Sequence, residues 1–436
     1  MILSRYNFLF KSEKYGFLLY NSLSNCFLEI SEDIYLLLKE INLSEKIVEQ
    51  IIPSDLIDVF KKNKIIVNND LDEYYKIKFN TLYQRFYDKS LELTINPTLA
   101  CNFSCGYCFE CNKEAKIMTD ETEKNIIKFI NSYDTVENIH VTWFGGEPLI
   151  AYNKIESLTK KILEINKNYS AHIITNGYLL NEKITKSMEG LKISFIQITI
   201  DGTEEVHNSR RHLINGGKTF EKIIQNIELI FQINPKIQVG IRVNIDGSNE
   251  NEFICLYNYL YDKWNKFENK NIFIAPGFVT STNICNSVSD CLFDKKNKID
   301  FLINLFIKHG LQPISFYPRN NRYECPIRNP FHLTIGPEGE LYKCWNDVGN
   351  KEKIIGNLNN KGLINETLLT RYYTAADPLE DTNCIKCFHF PTCGGGCPYQ
   401  RIERLYNNVN IETCDLIKDN LTEFLEWHYS SQNISK

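Results

Sequence analysis

The sequence predicts an α/β fold: a partial (β/α)6 barrel, with a winged-helix-like module before it and a cysteine-rich extension after it. Two observations carry this prediction. Between Leu91 and Pro276, short apolar strands alternate with amphipathic helices, which is typical of a parallel sheet with helical crossovers. After about residue 310 the alternation fades, and cysteine, glycine and proline become frequent. Six repeats fit an incomplete barrel better than a closed barrel of eight.

The N-terminal module is predicted to span residues 1–70. Aromatic and β-branched runs predict three strands, at 6–10, 15–21 and 26–30. Two amphipathic helices follow, with Ser31 and Ser54 as expected caps, and "KIIVNND" closes the module as a strand. Modules of this kind bind nucleic acid or add a peptide to a strand edge. We expect residues 71–90 to be a linker.

The barrel is predicted to span residues 91–310. Its expected strands are 91–95, 139–144, 171–175, 195–200, 237–245 and 271–276. Its expected helices are 119–132, 152–166, 181–189, 218–233 and 249–264. Thr119, followed by acidic residues, marks the start of the first helix. The extension, residues 311–436, has little apolar periodicity before a last helix at about 411–428. It therefore needs something other than a core, and metal clusters supply that.

Composition narrows the class of protein. The 436 residues carry a net charge of −5, so no basic field indicates a nucleic-acid partner. No run of about 18 uncharged apolar residues predicts a membrane span, and the charged start lacks a signal-peptide core. We therefore expect a cytoplasmic protein. Fifteen cysteines in such a chain are more typical of metal ligands than of disulfides.

Three cysteines follow the first barrel strand at the spacing C-x3-C-x2-C: Cys101, Cys105 and Cys108. Three thiolates leave one iron of a [4Fe–4S] cube without a protein ligand. The amino and carboxylate groups of a small molecule can chelate that open iron. A zinc site completed by Cys111 is the alternative, but zinc prefers a closed tetrahedron.

This motif, with Tyr107 before its last cysteine, resembles the signature of the radical S-adenosylmethionine (radical SAM) enzymes. "GGEP" after the second strand resembles the family motif that meets the methionine amino group. "ITIDG" and "VHNSRR" continue the resemblance, with Thr199 placed like a family serine and Arg211 like an arginine that meets the carboxylate. The resemblance implies that the three cysteines are catalytic and that the cofactor-binding residues are Tyr107, Gly145, Gly146, Glu147, Pro148, Thr199, Asp201 and Arg211.

Seven further cysteines resemble the SPASM extension of peptide-modifying radical SAM enzymes. This resemblance implies two auxiliary [4Fe–4S] clusters, hence three in all. The outer cluster would be held by Cys384, Cys387, Cys393 and Cys414, and the inner one by Cys325, Cys344 and Cys397. Arg319 stands where some relatives have a fourth inner ligand. The possibilities for the fourth position of the inner cluster are an open iron, Cys285, Cys291 or a substrate thiol. A zinc ribbon is the alternative for the whole group.

The combined resemblance is to maturases of ribosomally made peptides, such as the enzymes that form sactipeptide and ranthipeptide thioethers. It implies reductive cleavage of S-adenosylmethionine (AdoMet) to a 5′-deoxyadenosyl radical, which abstracts hydrogen from the substrate. We expect oxidative modification of a precursor peptide, giving a thioether or other cross-link. The N-terminal module would recognise the leader, and a flavodoxin or ferredoxin would supply electrons.

Two alternatives stay open. An anaerobic sulfatase maturase would oxidise cysteine or serine to formylglycine. Such enzymes usually carry aspartate directly after the equivalent of Cys344, where this chain has Trp345, and usually lack the N-terminal module. A non-catalytic iron–sulfur or zinc regulator would bind DNA through the winged helix. Its helix offers only Lys61 and Lys62 against two aspartates, which is poor for phosphate contact.

Overall fold

The structure is a computed structural model that describes residues 1–44, 51–108, 114–268, 270–280, 291–311, 317–319, 325–360 and 365–434. It divides into two compact units, each built from separate stretches of chain. The terminal unit contains Met1–Tyr87, Ile314–Pro330 and Thr370–Lys436. The sheet unit contains Asp88–Pro313 and Phe331–Leu369.

The terminal unit begins with five strands and three helices. The strands are β1 (Ile2–Leu3), β2 (Asn7–Ser12), β3 (Gly16–Asn21), β4 (Cys26–Ile30) and β5 (Ile66–Val67). The helices are α1 (Glu32–Ser44), α2 (Ser54–Lys62) and α3 (Asp70–Phe86). β2, β3 and β4 form an antiparallel meander, and β1 pairs with β5. The predicted three strands, two helices and closing strand are present, and β1 is an addition.

The two expected helix caps differ. The Ser31 hydroxyl accepts a hydrogen bond from the Ile34 amide at 3.4 Å, so it caps α1 as predicted. Ser54 is the first residue inside α2, and Pro53 takes the cap position without a side-chain hydrogen bond. The prediction for Ser54 was wrong because Pro53 already fixes the backbone for helix entry and itself has no side-chain acceptor.

The segment expected to be a linker folds into the 17-residue helix α3. Asn69 caps it by accepting from the Leu71 amide at 2.9 Å. Arg85, near its other end, makes two hydrogen bonds to the Asp377 carboxylate, at 2.5 and 3.2 Å. The helix is therefore fixed to the C-terminal part of the same unit.

That C-terminal part consists of short helices joined by cysteine-bearing turns. They are α12 (Thr382–Ile385), α13 (Phe390–Cys393), α14 (Pro398–Tyr406) and α15 (Leu421–Ile434). The last helix was predicted over 411–428 and begins ten residues later. The Asp415 carboxylate accepts hydrogen bonds from the amides of Ile417 and Lys418 and forms a turn there instead of a helix.

The sheet unit is built on one mostly parallel sheet. Its strands are β6 (Ser90–Ile95), β7 (Asn138–Trp143), β8 (Asn168–Thr175), β9 (Ile193–Thr199), β10 (Gln238–Ile245), β11 (Ile272–Phe278), β12 (His332–Ile335), β13 (Glu340–Tyr342) and β14 (Gly356–Asn357). The order is β11-β10-β9-β8-β7-β6-β12-β13-β14. β6 to β11 are parallel and lie side by side in chain order, as predicted.

Helices lie between these strands along the chain. They are α4 (Asp120–Asn131), α5 (Tyr152–Leu163), α6 (Glu182–Ser187), α7 (Glu204–Arg210), α8 (Phe220–Ile233), α9 (Glu252–Trp264), α10 (Lys295–His309) and α11 (Glu366–Thr370). Each predicted barrel helix is present, and Thr119 caps α4 by accepting from the Thr122 amide. The short α7 was not predicted. The side chains on the outward faces of the strands form the core. On β10, for example, these are Val239, Ile241 and Val243, which are fully buried.

The sheet continues beyond the six predicted strands. β12 lies parallel to β6, with His332 opposite Glu92, and β13 and β14 follow antiparallel. These strands come from the region expected to be the cysteine-rich extension. Cys344 therefore follows a strand of the main sheet.

Candidate active site

The carboxyl ends of the parallel strands surround a cavity of about 330 Å³. Loops after β6, β7, β8 and β9 contribute to its wall, and the segment after β11 and the turn after Cys344 complete it. Among the described lining residues are Cys101, Cys105 and Cys108. Ligands of open α/β sheets bind at this end of the strands.

The cysteine loop is held by a second loop that follows α7. The Ser104 amide donates to the His212 carbonyl at 2.9 Å, and the Ile214 amide donates to the Asn102 carbonyl at 3.1 Å. These bonds form an isolated antiparallel bridge between Phe103 and Leu213. The bridge brings Arg211, two residues before Leu213, up to the cysteine loop.

Gly145 and Gly146 touch the backbone that leads into the cysteines. A Cβ on Gly145 would lie 2.2 Å from the Thr98 carbonyl oxygen, and one on Gly146 would lie 2.4 Å from that of Ala100. Gly145 also has a φ of 125°, which other residues rarely adopt. Hydrogen bonds from the amides of Gly146 and Glu147 join the same backbone. The "GGEP" and cysteine motifs are therefore one packed structure.

Glu147 is fully buried behind this contact. Its carboxylate accepts hydrogen bonds from the Thr175 hydroxyl at 2.6 Å, the Asn176 amide at 2.7 Å and the Leu149 amide at 3.0 Å. Burial raises the pKa of Glu147, and these hydrogen bonds oppose that shift. The carboxylate thus ties the end of β7 to the end of β8.

Tyr107 is the centre of a polar cluster. Its hydroxyl donates to the Asp201 carboxylate and accepts from the Arg211 guanidinium at 2.6 Å and the Asn244 amide group at 3.1 Å. The Arg210 guanidinium lies over its ring, 5.1 Å from the centroid. Burial raises the pKa of Tyr107 well above its usual range, so the hydroxyl keeps its proton.

Arg211 is the buried cation of the cavity. Burial alone would lower its pKa, but Cys105, Tyr107 and Asp201 nearby hold that pKa well above its usual range. The guanidinium also lies over the Phe103 ring at 5.7 Å. A fixed positive charge therefore lies beside the cysteine loop.

His207 supports Arg211 from behind. Its Nδ1 accepts from the Asp201 amide at 3.3 Å, and its Nε2 lies 3.1 Å from the Thr219 hydroxyl. That hydroxyl donates to the Arg211 carbonyl at 2.6 Å, so it accepts from His207. Burial, with the Arg211 charge, lowers the pKa of His207 well below its usual value. The imidazole is thus neutral with its proton on Nε2.

The three cysteine thiols fit a [4Fe–4S] cube with one open iron. They line one cavity, and burial raises the pKa of Cys101 to about 12 and also raises that of Cys105, where Arg211 opposes it. Within the described part of the chain, no three His, Cys, Asp or Glu side chains converge on a single metal ion. A cube takes one thiolate per iron, so it does not require such convergence.

Of the predicted cofactor-binding residues, five line the cavity: Tyr107, Gly145, Gly146, Thr199 and Arg211. Glu147, Pro148 and Asp201 are buried behind its wall. Sequence reasoning did not assign the other polar lining residues, which include Asn176, Gln197, Arg242 and Asn244. Alternation along β9 and β10 was the available signal, since Gln197 precedes Thr199 by two and Arg242 precedes Asn244 by two.

Part of the cavity wall is aromatic. Phe144, Phe278 and Trp345 line it, and the rings of Phe144 and Trp345 lie 5.9 Å apart. Trp345 is 47% exposed, and Asp347, two residues on, is buried and does not line the cavity. The cavity thus has a polar side and an aromatic side.

Four C-terminal thiols lie together in the terminal unit. Cys384 interacts electrostatically with Cys393 and with Cys414, and the Lys418 ammonium interacts with Cys387 and Cys414. Burial raises the pKa of Cys393 to about 11. These are the four cysteines predicted for the outer cluster, and that ligand set stays a prediction.

The remaining cysteines are more dispersed. Cys325 and Cys397 belong to the terminal unit, and Cys344 is buried in the sheet unit. Arg319 is exposed, and Cys291 is half-buried in the sheet unit. Cys111 and Cys285 lie outside the described residues. The inner ligand set stays a prediction.

The family model of the radical SAM superfamily matches residues 95–260. The radical SAM cyclopropyl synthase TigE of Paramaledivibacter caminithermalis is 24% identical over 96% of this chain and 94% of its own. A cysteine-type anaerobic sulfatase-maturating enzyme of Clostridium novyi is 26% identical over 74% and 91%. The uncharacterised protein MJ0907 of Methanocaldococcus jannaschii is 32% identical over 64% and 92%.

Solved structures share the fold. Native anSMEcpe with bound AdoMet and Kp18Cys peptide aligns with a TM-score of 0.60 at 21% identity, covering 78% of this chain and 98% of that one. SuiB of Streptococcus suis bound to S-adenosylmethionine aligns with a TM-score of 0.52 at 15% identity, covering 91% and 95%.

The chain belongs to the radical SAM superfamily. It is an enzyme, related to peptide-modifying maturases and to anaerobic sulfatase maturases, and its superfamily uses a [4Fe–4S] cluster with AdoMet. This rejects the alternative of a non-catalytic regulator. In the part of the chain that the structure describes, no helix is both long and apolar enough to span a bilayer.

Proposed function

We propose that this enzyme oxidatively modifies a ribosomally made precursor peptide, forming a thioether or another cross-link. The observation that carries the proposal is the meander β2–β3–β4 in the terminal unit. Among the described strands, β2 and β4 each pair on one side only, so each offers an edge to an extended peptide. Strand addition satisfies the backbone of a leader peptide, and alternate side chains supply specificity.

The relatives support a peptide substrate. The cyclopropyl synthase matches 96% of this chain, whereas the Clostridium novyi sulfatase-maturating enzyme matches 74% of it with nearly all of its own length. A fold neighbour has been solved with both AdoMet and a peptide bound. The N-terminal module, 1–70, would be the leader-binding part, and 91–310 and 311–436 the catalytic and auxiliary-cluster parts.

The cavity provides for cluster and cofactor on its polar side. Cys101, Cys105 and Cys108 would hold the cluster, and Arg211 would pair with the carboxylate of AdoMet. Gly145 and Gly146 line the same cavity without side chains, so the cofactor would approach the backbone closely there. When bound, cluster and AdoMet supply a 5′-deoxyadenosyl radical.

The protein's own residues hold this site rigid. Tyr107, itself bound to Asp201, holds the Arg211 guanidinium, and His207 holds the Arg211 backbone through Thr219. The Glu147 carboxylate fixes the ends of two strands. The aromatic side, with Phe144, Phe278 and Trp345, would exclude water and receive an apolar part of the substrate. Positioning and shielding are the contributions that a protein makes to radical chemistry.

A sulfatase-maturase activity is the second candidate, because relatives with that name match most of the chain. The turn after Cys344 disfavours it. Trp345 occupies the position where those enzymes carry aspartate, and Asp347 is buried away from the cavity. No Asp or Glu is present among the described lining residues.

The test uses oxygen-free, reconstituted enzyme with AdoMet, dithionite and candidate precursor peptides encoded nearby. We expect about twelve irons per chain if all three clusters are present. We also expect 5′-deoxyadenosine, and a peptide that loses the mass of two hydrogen atoms per cross-link. The triple variant Cys101→Ala, Cys105→Ala, Cys108→Ala should lose AdoMet cleavage and keep the auxiliary iron.

Two results would reject the proposal. AdoMet cleavage by the triple variant at the wild-type rate would remove the catalytic assignment. Conversion of a sulfatase peptide to formylglycine, with no reaction on leader-bearing peptides, would favour the second candidate. The iron count decides separately whether both auxiliary clusters exist. We place the enzyme in a reducing cytoplasm, where its clusters and a one-electron donor persist.

A further inference from the structure

The terminal unit has a cavity of about 580 Å³ that the proposed function does not use. Its walls come from the β3–β4 turn, the end of α2, one side of α3 and the segment 378–394. Lys62, Lys64 and Lys76 line it, and Glu73 is the other ionisable residue of its described lining. The cavity is therefore larger than the active-site cavity and has a positive mouth.

The three lysines are exposed and available. None of their ammonium groups takes part in an ion pair among the described residues, and Glu73 is buried. Lys64 has a φ of 59°, an unfavourable value for lysine, and its carbonyl accepts from the Asn21 amide group at 2.9 Å. This left-handed residue ends α2 in a Schellman turn, in which the Ile65 amide donates to the Phe60 carbonyl at 2.8 Å, so the turn fixes the backbone position of Lys64.

An aromatic stripe runs along the adjoining face of α3. Tyr75, Phe79 and Tyr83 repeat every four residues and are 59%, 66% and 53% exposed. The rings of Phe79 and Tyr83 stack 6.0 Å apart, and Tyr83 meets Tyr87 at 5.1 Å. At 1.5 Å per residue, the stripe from Tyr75 to Tyr87 is about 18 Å long. Contiguous exposed apolar surface of this kind marks an interaction site.

Lys76 joins the cavity to the stripe. It lies three residues before Phe79 on α3, so the two side chains are neighbours on the helix surface. We call the surface formed by Lys62, Lys64, Lys76, Tyr75, Phe79 and Tyr83 the α3 face. It combines three lysines with an aromatic stripe, and Asp72 is the acidic residue exposed on the same side of α3.

The buried side of α3 packs on the C-terminal cysteines. Tyr74 is buried with Leu379 and Phe390, and Cys384 and Cys387 pack against this cluster. The Tyr74 hydroxyl donates to the Leu379 carbonyl at 2.5 Å. One helix thus separates the α3 face from the thiols that would hold the outer cluster.

We propose that the α3 face docks an acidic one-electron carrier protein. This rests on the proposed function, since it assumes an outer cluster at Cys384, Cys387, Cys393 and Cys414. The carrier loses one electron and the enzyme gains one, and no bond forms or breaks. The lysines steer an acidic surface to the site, and the aromatic rings provide the contact area.

A carrier protein fits this face better than a peptide does. The stripe is long and protrudes from a helix, so it suits a broad partner surface rather than an extended chain. The free lysines favour a partner of opposite charge over a second copy of this chain, since like charges would then meet.

The experiment measures binding of an acidic flavodoxin to the reconstituted enzyme by calorimetry at low and high salt. The variant Lys62→Glu, Lys64→Glu, Lys76→Glu should bind about tenfold or more weakly at low salt and lose most of the salt dependence. Phe79→Ser with Tyr83→Ser should weaken binding at both salt concentrations. All of these side chains are exposed, so the variants should fold.

The matched control reverses three exposed lysines of the sheet unit, two on helices α6 and α8 and one in the turn after α8: Lys183→Glu, Lys222→Glu and Lys236→Glu. It should bind flavodoxin like the wild type. Equal loss of binding in control and test variants, or no loss in either, overturns the proposal. The test variant is also assayed for precursor-peptide binding and, by mass photometry, for self-association. If it keeps flavodoxin binding but loses either of these, the α3 face binds the peptide or a second copy of the chain, and the proposal is overturned.

The same variants separate this proposal from the proposed function. With dithionite as the reductant, the test variant should cleave AdoMet at the wild-type rate, and with reduced flavodoxin about tenfold or more slowly. If wild-type enzyme modifies no peptide, the proposed function fails while the binding result still decides the docking site.

Discussion

Gly146 offers a sharp test at the scale of one residue. Its φ is ordinary, so Gly146→Ala acts only through the new methyl group, 2.4 Å from the Ala100 carbonyl oxygen. The methyl group must push the cysteine loop away. We expect a loss of roughly 1–3 kcal/mol in stability and at least about a hundredfold slower AdoMet cleavage, since small displacements are costly in an active site. Thermal unfolding and 5′-deoxyadenosine formation measure the two effects.

Gly106 provides the control in the same loop. A Cβ there would meet nothing within 4 Å, so Gly106→Ala should keep its cleavage rate within about twofold of the wild type. Similar slow rates for both alanine variants would contradict the packing argument.

Trp345 makes a second prediction at this scale. Trp345→Ala removes a half-exposed ring from the aromatic side of the cavity. Loss of an aromatic contact of about 1–2 kcal/mol should raise the KM for peptide roughly five- to thirtyfold. AdoMet cleavage without peptide should be unchanged, and Trp345→Phe should recover most of the affinity. A fall in peptide-free cleavage alone would show that Trp345 serves the cofactor instead.

The sequence revealed some site residues and not others, for a physical reason. The cysteines and the glycine pair act through short loops, so their spacing along the chain is visible. Arg242 and Asn244 lie on β10, four strands along the sheet from β6, yet Asn244 donates a hydrogen bond to Tyr107 in the loop after β6. His207 acts through Thr219, twelve residues away. Such contacts between distant residues depend on the register of the sheet, and the local pattern of a single sequence does not reveal that register.

At the scale of elements, α3 shows where apolar pattern misleads. Its aromatic residues occupy an exposed stripe as well as a buried side, so no clear amphipathic period was visible and a linker was expected. The barrel helices and strands were predicted well because each buries one regular face. The last helix started late because the Asp415 turn competes locally with helix formation.

The anchor of α3 can be tested directly. The Arg85–Asp377 pair is nearly inaccessible, with side-chain exposures of 1% and 7%, and Arg85 also donates to the Tyr373 carbonyl at 3.1 Å. Arg85→Leu leaves the Asp377 carboxylate buried without its cation. We expect a loss of about 3–5 kcal/mol in the free energy of unfolding, measured by urea denaturation.

A surface pair on the same helix gives the comparison. Lys78 and Glu380 lie 2.6 Å apart, but their side chains are 30% and 67% exposed. Lys78→Met should cost less than about 1 kcal/mol, because solvent screens such pairs. Equal costs for the two variants would mean that burial does not set the strength of these contacts.

At the scale of the whole molecule, each unit is assembled from distant stretches of chain. Residues 331–369 complete the main sheet, and residues 370–434 fold with the N-terminal strands. The domain boundary predicted from composition places all of residues 311–436 in one cysteine-rich extension. Composition detects the cysteines but not the pairing of β12 with β6, which is a non-local contact.

Buried histidines make the stability of the whole molecule dependent on pH. Burial lowers the pKa of His207 far below 6.5 and that of His172 to about 4, and it also lowers those of His140 and His332. In the unfolded chain these groups titrate near 6.5, so below that pH the unfolded state binds more protons. Stability is therefore fully present above about pH 6.5 and is lost as the pH falls toward 4, by up to about 1.4 kcal/mol per pH unit for each such histidine.

The variant His207→Gln isolates one of these contributions. It should be less stable than the wild type near neutral pH, because it loses hydrogen bonds. Between about pH 7.5 and 5.5, however, its free energy of unfolding should fall by roughly 1.4 kcal/mol less than that of the wild type. Urea denaturation of reconstituted enzyme at both pH values measures this difference. The wild-type enzyme measured in parallel gives the reference pH dependence. If His207→Gln shows the same pH dependence, His207 is already protonated in the folded enzyme, and the hydrogen-bond chain from Asp201 to Arg211 cannot have the neutral imidazole that its geometry requires.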